Sequence, residues 1–275
     1  RLANVAPTTA AFFRTAYAVP VLIVIWLATR SRDARSPAAR WMAFLSGILL
    51  AVDLVLWHHS IAWLGAGLAT VVANIQVVFV GGAAWILYRE RPARLTFLIV
   101  PLAFLGVALI SGLGRVEAYG ARPAAGTIAA VLAGATYAGF LLLFRASNRG
   151  LAPPHGPLLD ATLGAAAASL AIGVLDPSFQ LAPVWPAHGW LLGLAVAVQI
   201  GGWLLIATAL PRLPALETSV LLLLQPMLTV VWAVLIFSEL LSAIQWLGVA
   251  LVLSGIAALS LRGSVQRPAA APAKP

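Results

Sequence analysis

"LGAGLATVVANIQVVFVGGAAWILYRERP" (residues 64–92) carries no charged side chain from Leu64 to Tyr88, and then meets Arg89, Glu90 and Arg91 in succession. About 20 mostly apolar residues closed by charge are what a helix needs to cross the hydrocarbon core of a bilayer. A strand of a membrane barrel would be about ten residues long with strict alternation. This run alternates nowhere.

Working outward, eight further runs of the same kind are found at about 8–29, 41–62, 95–114, 125–144, 157–175, 189–210, 215–237 and 243–261. The pattern predicts an all-α integral membrane protein with nine visible spans. Composition agrees: 62% of the 275 residues are hydrophobic and 9% charged, with a mean hydropathy of +0.99. A soluble domain has about 25% charged residues. With so few it would expose large apolar patches to water. Disorder needs the opposite composition. The chain has no Cys, so disulfides and thiolate chemistry are excluded.

Net charge is +9, with every arginine except Arg14 in the gaps between runs or at their outer flanks, which points to membrane orientation rather than nucleic acid. If the gap at 30–40 is cytoplasmic and sides alternate from there, that side and the C-terminal tail hold thirteen of the 17 basic residues, and the opposite side holds Arg1, Arg115 and Arg122. This asymmetry predicts a cytoplasmic C-terminus in the cell membrane. The stretch from Gly263 to Pro275 is rich in Pro and Ala and reads as a disordered tail.

Shifted by 149, residues 190–262 fall on 41–113 without a gap, and about one position in five is identical, Trp41 on Trp190, Gln76 on Gln225 and Glu90 on Glu239 among them. The same shift places the run at 125–144 ahead of residue 1, so a tenth helix is expected to precede Arg1. Five helices per repeat is an odd number. The halves, 1–114 and 125–262, would therefore insert in opposite directions, as in inverted-repeat transporters.

The stretch at 64–92 and its partner "LPALETSVLLLLQPMLTVVWAVLIFSELLSAIQWLGVALVLSGIAAL" (213–259) resemble the two EamA repeats of the drug/metabolite transporter superfamily. The shared features are small residues at helix entry (Ala66, Ala69, Ala215), a Glu at helix end (Glu90, Glu239), a central Pro226, and glycines in the helix that follows (Gly106, Gly248, Gly255). "PTTAAFFRT" (7–15) is similar to the family's second helix, with Arg14 at its usual Arg. Val77 stands where the family has a central Pro, which suggests a straighter helix over 66–88. The resemblance implies a ten-helix secondary transporter of metabolites, amino acids or drugs with both termini cytoplasmic.

Polar groups inside spans are the candidate pathway residues, because each is costly against lipid. Arg14 lies about seven residues into its helix and is read either as a group that snorkels outward or as a counter-charge to a bound anion or to Asp53. Asp53, Trp57 and Ser60 share one helix face by their spacing. Asp53 sits near mid-span, and either pairs, is neutral, or carries protons. Trp57 is a stacking surface or an interface anchor. His58 and His59 are adjacent, point about 100° apart and lack metal-pair spacing; one of them is a candidate for titration during transport. Tyr17, Asn74, Gln76, Tyr137, Gln199, Trp203 and Gln225 are uncharged polar or amphipathic groups within spans, with interhelical hydrogen bonding as the default role. Glu217 sits in a first helical turn, where it serves the helix dipole or the site.

There is no P-loop, GxSxG or HExxH signature. The sequence therefore points to a secondary transporter whose repeats rock about a mid-bilayer cavity, with H⁺ as coupling ion through Asp53, a His or Glu217. The rival is a passive channel or lipid-handling protein, but no ring of like polar residues or glycine-rich filter supports a channel. An intramembrane enzyme would rest on Asp53, His58 and His59 alone. The implied partners are a small-molecule substrate, the lipid bilayer, H⁺ and a second copy of the chain. No cofactor, metal or nucleic acid is implied.

Overall fold

The computed structural model describes residues 5–29, 33–64, 66–89, 94–110, 121–148, 153–213, 218, 220–222, 224–225 and 242–265. In hydrocarbon every backbone amide needs an internal partner, which leaves helices as the solution for single segments of this length. Among the described residues all regular structure is helical. Six segments are long and apolar enough to span a membrane: Pro7–Thr29, Pro37–Leu64, Leu68–Leu87, Pro123–Ser147, His155–Val174 and Ala187–Arg212. Phe97–Leu109 and Ala243–Gly255 are shorter apolar helices. Most of the run at 215–237, including Glu217 and Pro226, lies outside the described residues, as do Glu90, Glu239 and Ala215.

Proline opens several helices, where its missing N–H costs nothing. α1 (Pro7–Ala16), α3 (Pro37–Leu64) and α7 (Pro123–Ser147) all begin this way. Inside a helix the same residue is disruptive. Pro20 cannot bond back to Ala16, and the first span is interrupted at Tyr17 before resuming as α2 (Ala18–Thr29).

The straighter helix expected over 66–88 is not what forms. α4 (Ala66–Ala73) and α5 (Gln76–Tyr88) are separated by a turn at Asn74 and Ile75. The Asn74 side-chain amide donates to the Thr70 carbonyl at 2.8 Å, alongside its own backbone N–H at 3.2 Å. Around it the ladder tightens to three-residue bonds, Ile75 to Val72, Val77 to Asn74 and Val78 to Ile75. An Asn competing for backbone carbonyls does here what proline would do by lacking a donor. Gly134 of α7 packs against this turn; a Cβ there would stand 2.7 Å from the Ala73 carbonyl oxygen.

The remaining elements are α6 (Thr96–Ile110), α8 (His155–Val174), α9 (Ala187–Leu194), a π-helical segment (Ala195–Gly202), α10 (Trp203–Ala209), a 3₁₀ turn (Leu210–Arg212) and α11 (Ala243–Val265). α11 runs three residues into the stretch read from sequence as tail.

Helix association in lipid relies on close packing rather than on expulsion of water. α3 is the hub and packs along α7 and α8. Gly47 lies against the Ala161 backbone of α8, and Gly164 of α8 against the Phe44 carbonyl, so closely that a Cβ at either position would overlap the facing main chain. Phe140, Phe144, Leu22, Leu158 and Trp203 fill the adjoining core. A second core joins α6 to α11 through Val107, Ile99, Val249 and Val252, with Gly106 facing the Gly248 carbonyl.

Two polar clasps bracket this assembly. At one end, Arg35 in the loop after α2 grips Asp33 through Nε and Nη2, both at 2.8 Å, and its Nη2 stands 2.8 Å from an Asp160 oxygen. Arg40 reaches the other Asp160 oxygen at 3.4 Å, and the Trp26 indole donates to Asp33. At the other end, Thr8 of α1 donates to Asp176 at 2.7 Å and the Gln180 amide donates to Thr9. Hydrogen bonds from Ser178 and Thr8 hold the Asp176 carboxyl below the usual carboxylate range.

Candidate functional site

The interruption at Tyr17 divides α1 from α2 and leaves Arg14 in the last turn of α1. Its Nε donates to Gln199 Oε1 at 3.1 Å, and Gln199 Nε2 donates to Thr162 Oγ1 at 3.3 Å. Gln199 is 1% exposed and Thr162 fully buried, so the relay runs through the packed interior from α1 to the π-helical segment to α8. The segment ends in Gly201 and Gly202, residues with little preference for the regular α-ladder. Single π-helical turns inside spans are rare and concentrate at functional sites.

Asp53 projects from the middle of α3. Arg14, Asp53 and Tyr137 of α7 are close enough for their charges to interact. Arg14 and Asp53 nevertheless form neither an ion pair nor a hydrogen bond with each other. Asp53 accepts no hydrogen bond from any described residue, and its half-buried carboxylate is not among the sealed polar atoms. The same holds for the terminal nitrogens of Arg14 and the hydroxyl of Tyr137. A cation, a carboxylate and a phenol thus offer unused hydrogen-bonding capacity to one another's neighbourhood from three helices.

Aromatic rings pack beside Tyr137. Tyr137 lies 5.7 Å from Phe140 and 6.5 Å from Trp203, and Trp203 meets Phe140 edge-on at 4.9 Å. Trp57 packs edge-on against His58 at 5.1 Å. His58 Nδ1–H donates to the Leu54 carbonyl at 2.6 Å, and His59 Nδ1–H to the Val55 carbonyl at 2.8 Å. Each bond fixes the tautomer and leaves Nε2 as the free nitrogen. His58 is within electrostatic reach of Arg14, whereas His59 is within reach of Asp176 in the loop after α8 and packs on Trp63. The two histidines therefore serve different surroundings, as their 100° separation predicts. Ser60 is fully buried, and its hydroxyl finds no partner among the described residues.

Tyr17 reaches His188 of α9. Its hydroxyl contacts His188 Nδ1 at 2.7 Å, and Phe13 packs edge-on against the same imidazole at 4.4 Å. His188 is 6% exposed and was not singled out from sequence. The available signal was a His at the very start of an apolar run, where a ring nitrogen has to find a partner from another helix.

Asn74 spends its amide on its own helix, and Gln225 is exposed. Glu217 lies outside the described residues. Gln199, given only the default interhelical role, is the residue that connects Arg14 to the second half of the chain. Among the described residues, no group of three His, Asp or Glu side chains has the arrangement of a metal site.

The comparisons with known proteins point one way. The chain is 25% identical over 256 residues to the uncharacterized transporter YwfM of Bacillus subtilis, a match that covers 91% of this chain and 83% of that one. It is 27% identical over 232 residues to the uncharacterized transporter sll1319 of Synechocystis, covering 80% of this chain and 66% of that one. A protein solved by crystallography superposes with a TM-score of 0.76 at 20% identity, over 96% of this chain and 91% of its own, which is a likeness of fold. The model of the EamA-like transporter family matches residues 1–112 and again residues 124–261. With nearly its whole length matched, and with apolar helices arranged as a multi-pass membrane protein around a polar centre, the chain belongs to the EamA-like transporter family.

Proposed function

We propose that the protein is a secondary transporter that exports a small metabolite, amino acid or drug-like compound across the cell membrane by alternating access, coupled to H⁺ through Asp53. Family membership supplies transport. The finer reading is carried by one observation: Arg14 and Asp53 face the same interior region from α1 and α3, are electrostatically coupled, and yet leave their hydrogen-bonding groups unspent on each other. Opposite charges held apart at mid-membrane are expensive. They are retained where a polar cargo or a proton takes up the unspent capacity. Trp57 and Tyr137 supply flat surfaces for an aromatic or aliphatic body, or for a cationic head, with Trp203 packed behind Tyr137 in the core.

The two separate matches to one family model, together with the gapless 149-residue shift, support a pair of inverted repeats. The arginine asymmetry supports a cytoplasmic C-terminus. A cytoplasmic fluorescent reporter fused after Leu261 should give signal, and alkaline phosphatase active at that junction contradicts the orientation.

The deciding experiment is transport in proteoliposomes. A panel of radiolabelled amino acids, amines and quaternary cations is offered with and without a pH gradient. Gradient-dependent accumulation of one class, lost in Asp53→Asn while cargo exchange survives, supports the reading. Accumulation that Asp53→Asn leaves untouched removes the coupling role. Downhill flux that never responds to any gradient favours the channel.

A further inference from the structure

We propose that Gln199 is the positioning residue of Arg14, and that Thr162 in turn anchors the far end of the Gln199 amide. This rests on Arg14 lining the cargo pathway. The distances define the roles. Arg14 Nε–H donates to Gln199 Oε1 at 3.1 Å, and Gln199 Nε2–H donates to Thr162 Oγ1 at 3.3 Å. A side-chain amide is symmetric in shape but opposite in polarity at its two ends. Turned over, it would set an NH₂ against the guanidinium, donor against donor. The donor-only guanidinium therefore fixes Oε1 toward Arg14, and Thr162 holds the amide in place by accepting from its NH₂. Because the bond is made at Nε, both terminal nitrogens of Arg14 stay clear of it, on the part of the guanidinium that an anionic group of the cargo would meet.

Burial explains why the arrangement is specific to this purpose. Gln199 and Thr162 are buried, at 1% and 0% exposure, so neither is placed to touch cargo. Arg14 stands about seven residues into its helix, about 10 Å deep at 1.5 Å per residue, and an unrestrained arginine at that depth stretches its long stem toward water. The neutral amide restrains the cation without cancelling it. A carboxylate at 199 would pair with Arg14 and neutralise it. The π-helical segment that carries Gln199 and the interruption after Arg14 are local distortions facing each other, and the hydrogen bond joins them.

The chain has no cysteine, so a single reporter thiol has no background. Tyr137→Cys places one within electrostatic reach of Arg14. Its modification rates by an anionic (sulfonatoethyl) and a cationic (trimethylammonioethyl) methanethiosulfonate are measured in detergent and expressed as a ratio, normalised to a free thiol. A nearby cation favours the anionic reagent, and Arg14→Gln should lower the ratio about tenfold. Gln199→Glu should lower it as far, by neutralising Arg14. Gln199→Leu and Thr162→Val should lower it severalfold by releasing Arg14, and Thr162→Ser should retain it. A merely structural role for Gln199 would alter stability but leave the ratio alone. If Arg14→Gln lowers the ratio and neither Gln199→Glu nor Thr162→Val does, the positioning role is wrong while the cavity stands. If Arg14→Gln has no effect, or the thiol does not react, the cavity itself is wrong. Should Gln199→Leu fail to fold, the near-isosteric Gln199→Glu and Thr162→Val still decide.

Discussion

Arg35 joins two parts of the chain that are far apart in sequence: its Nη2 stands 2.8 Å from Asp160 of α8 while the same guanidinium holds Asp33 in a two-pronged grip. The side chains of all three are at most 9% exposed. Gly156 leaves the room; a Cβ there would come within 2.8 Å of both Asp33 and Arg35.

Removing the centre of such a group strands its partners. Arg35→Met should cost about 3–5 kcal/mol, because two buried carboxylates lose their cation. Arg35→Lys should fall in between, since an ammonium lacks the planar fork that matches Asp33. Thermal unfolding in detergent, followed by the loss of the monodisperse chromatographic peak, reads the difference. A midpoint for Arg35→Met within a degree of the parent refutes the assigned role.

The same group sets an acid limit. The Arg35 hydrogen bond holds Asp33 down at about 2, with the Trp26 indole and the charge of Arg35 adding to it against the opposing effect of burial. The unfolded value is near 3.9. A carboxyl whose folded pKa is depressed adds stability that is complete above the unfolded value and is lost as pH falls toward the folded one. Stability should therefore decline between about pH 4 and pH 2, and Asp33→Asn should flatten that part of the profile while lowering its neutral plateau. An unaltered acid slope in Asp33→Asn counts against this assignment.

Asp53 should behave in the opposite way. Its carboxylate accepts no hydrogen bond from the described residues, so Asp53→Asn removes no native contact and should change stability by less than about 1 kcal/mol. Asp160→Asn, made in parallel, should be far more disruptive because it breaks the pair with Arg35. Equal losses in the two variants would make Asp53 a structural residue.

Gly47→Ala is the smallest change with a large expected effect. The added methyl would meet the Ala161 carbonyl, which is main chain and has no rotamer to yield. Overpacking of this kind costs about 1–3 kcal/mol or more. Gly82→Ala serves as control, as nothing lies within 4 Å of the added atom. Comparable expression and melting of the two variants would argue against the close α3–α8 contact.

Much of this architecture was legible in advance because lipid imposes a simple rule: a helix must be long, apolar and closed by charge. The ends of α3, α7 and α8 fall within four residues of the apolar runs that announce them. Interruptions were harder. The run at 8–29 read as one span although it contains Pro20, and the break at Asn74 came from an amide bonding to Thr70, which periodicity does not register. Arg14, Asp53 and Tyr137 were legible as candidates by polarity alone. Their convergence was not, since it depends on how three helices rotate against one another. Gln199 was legible as an interhelical hydrogen bonder but not by its partners, and His188 escaped for a related reason. A polar side chain in a span looks the same whether it bonds to a neighbour or supports a site, and only its partner tells the two apart.

The glycine contacts have a mechanical consequence. α3 belongs to the first half of the chain, α7 and α8 to the second, yet Gly47 and Gly164 lock α3 to α8 backbone against backbone, while Gly126 and Gly139 of α7 abut Leu64 and Leu49 of α3. Surfaces meshed at that spacing cannot slip by a turn without lifting apart. In the alternating-access cycle proposed above, these three helices would travel together as a stator assembled from both halves, and the flexing seam would not follow the midpoint of the sequence.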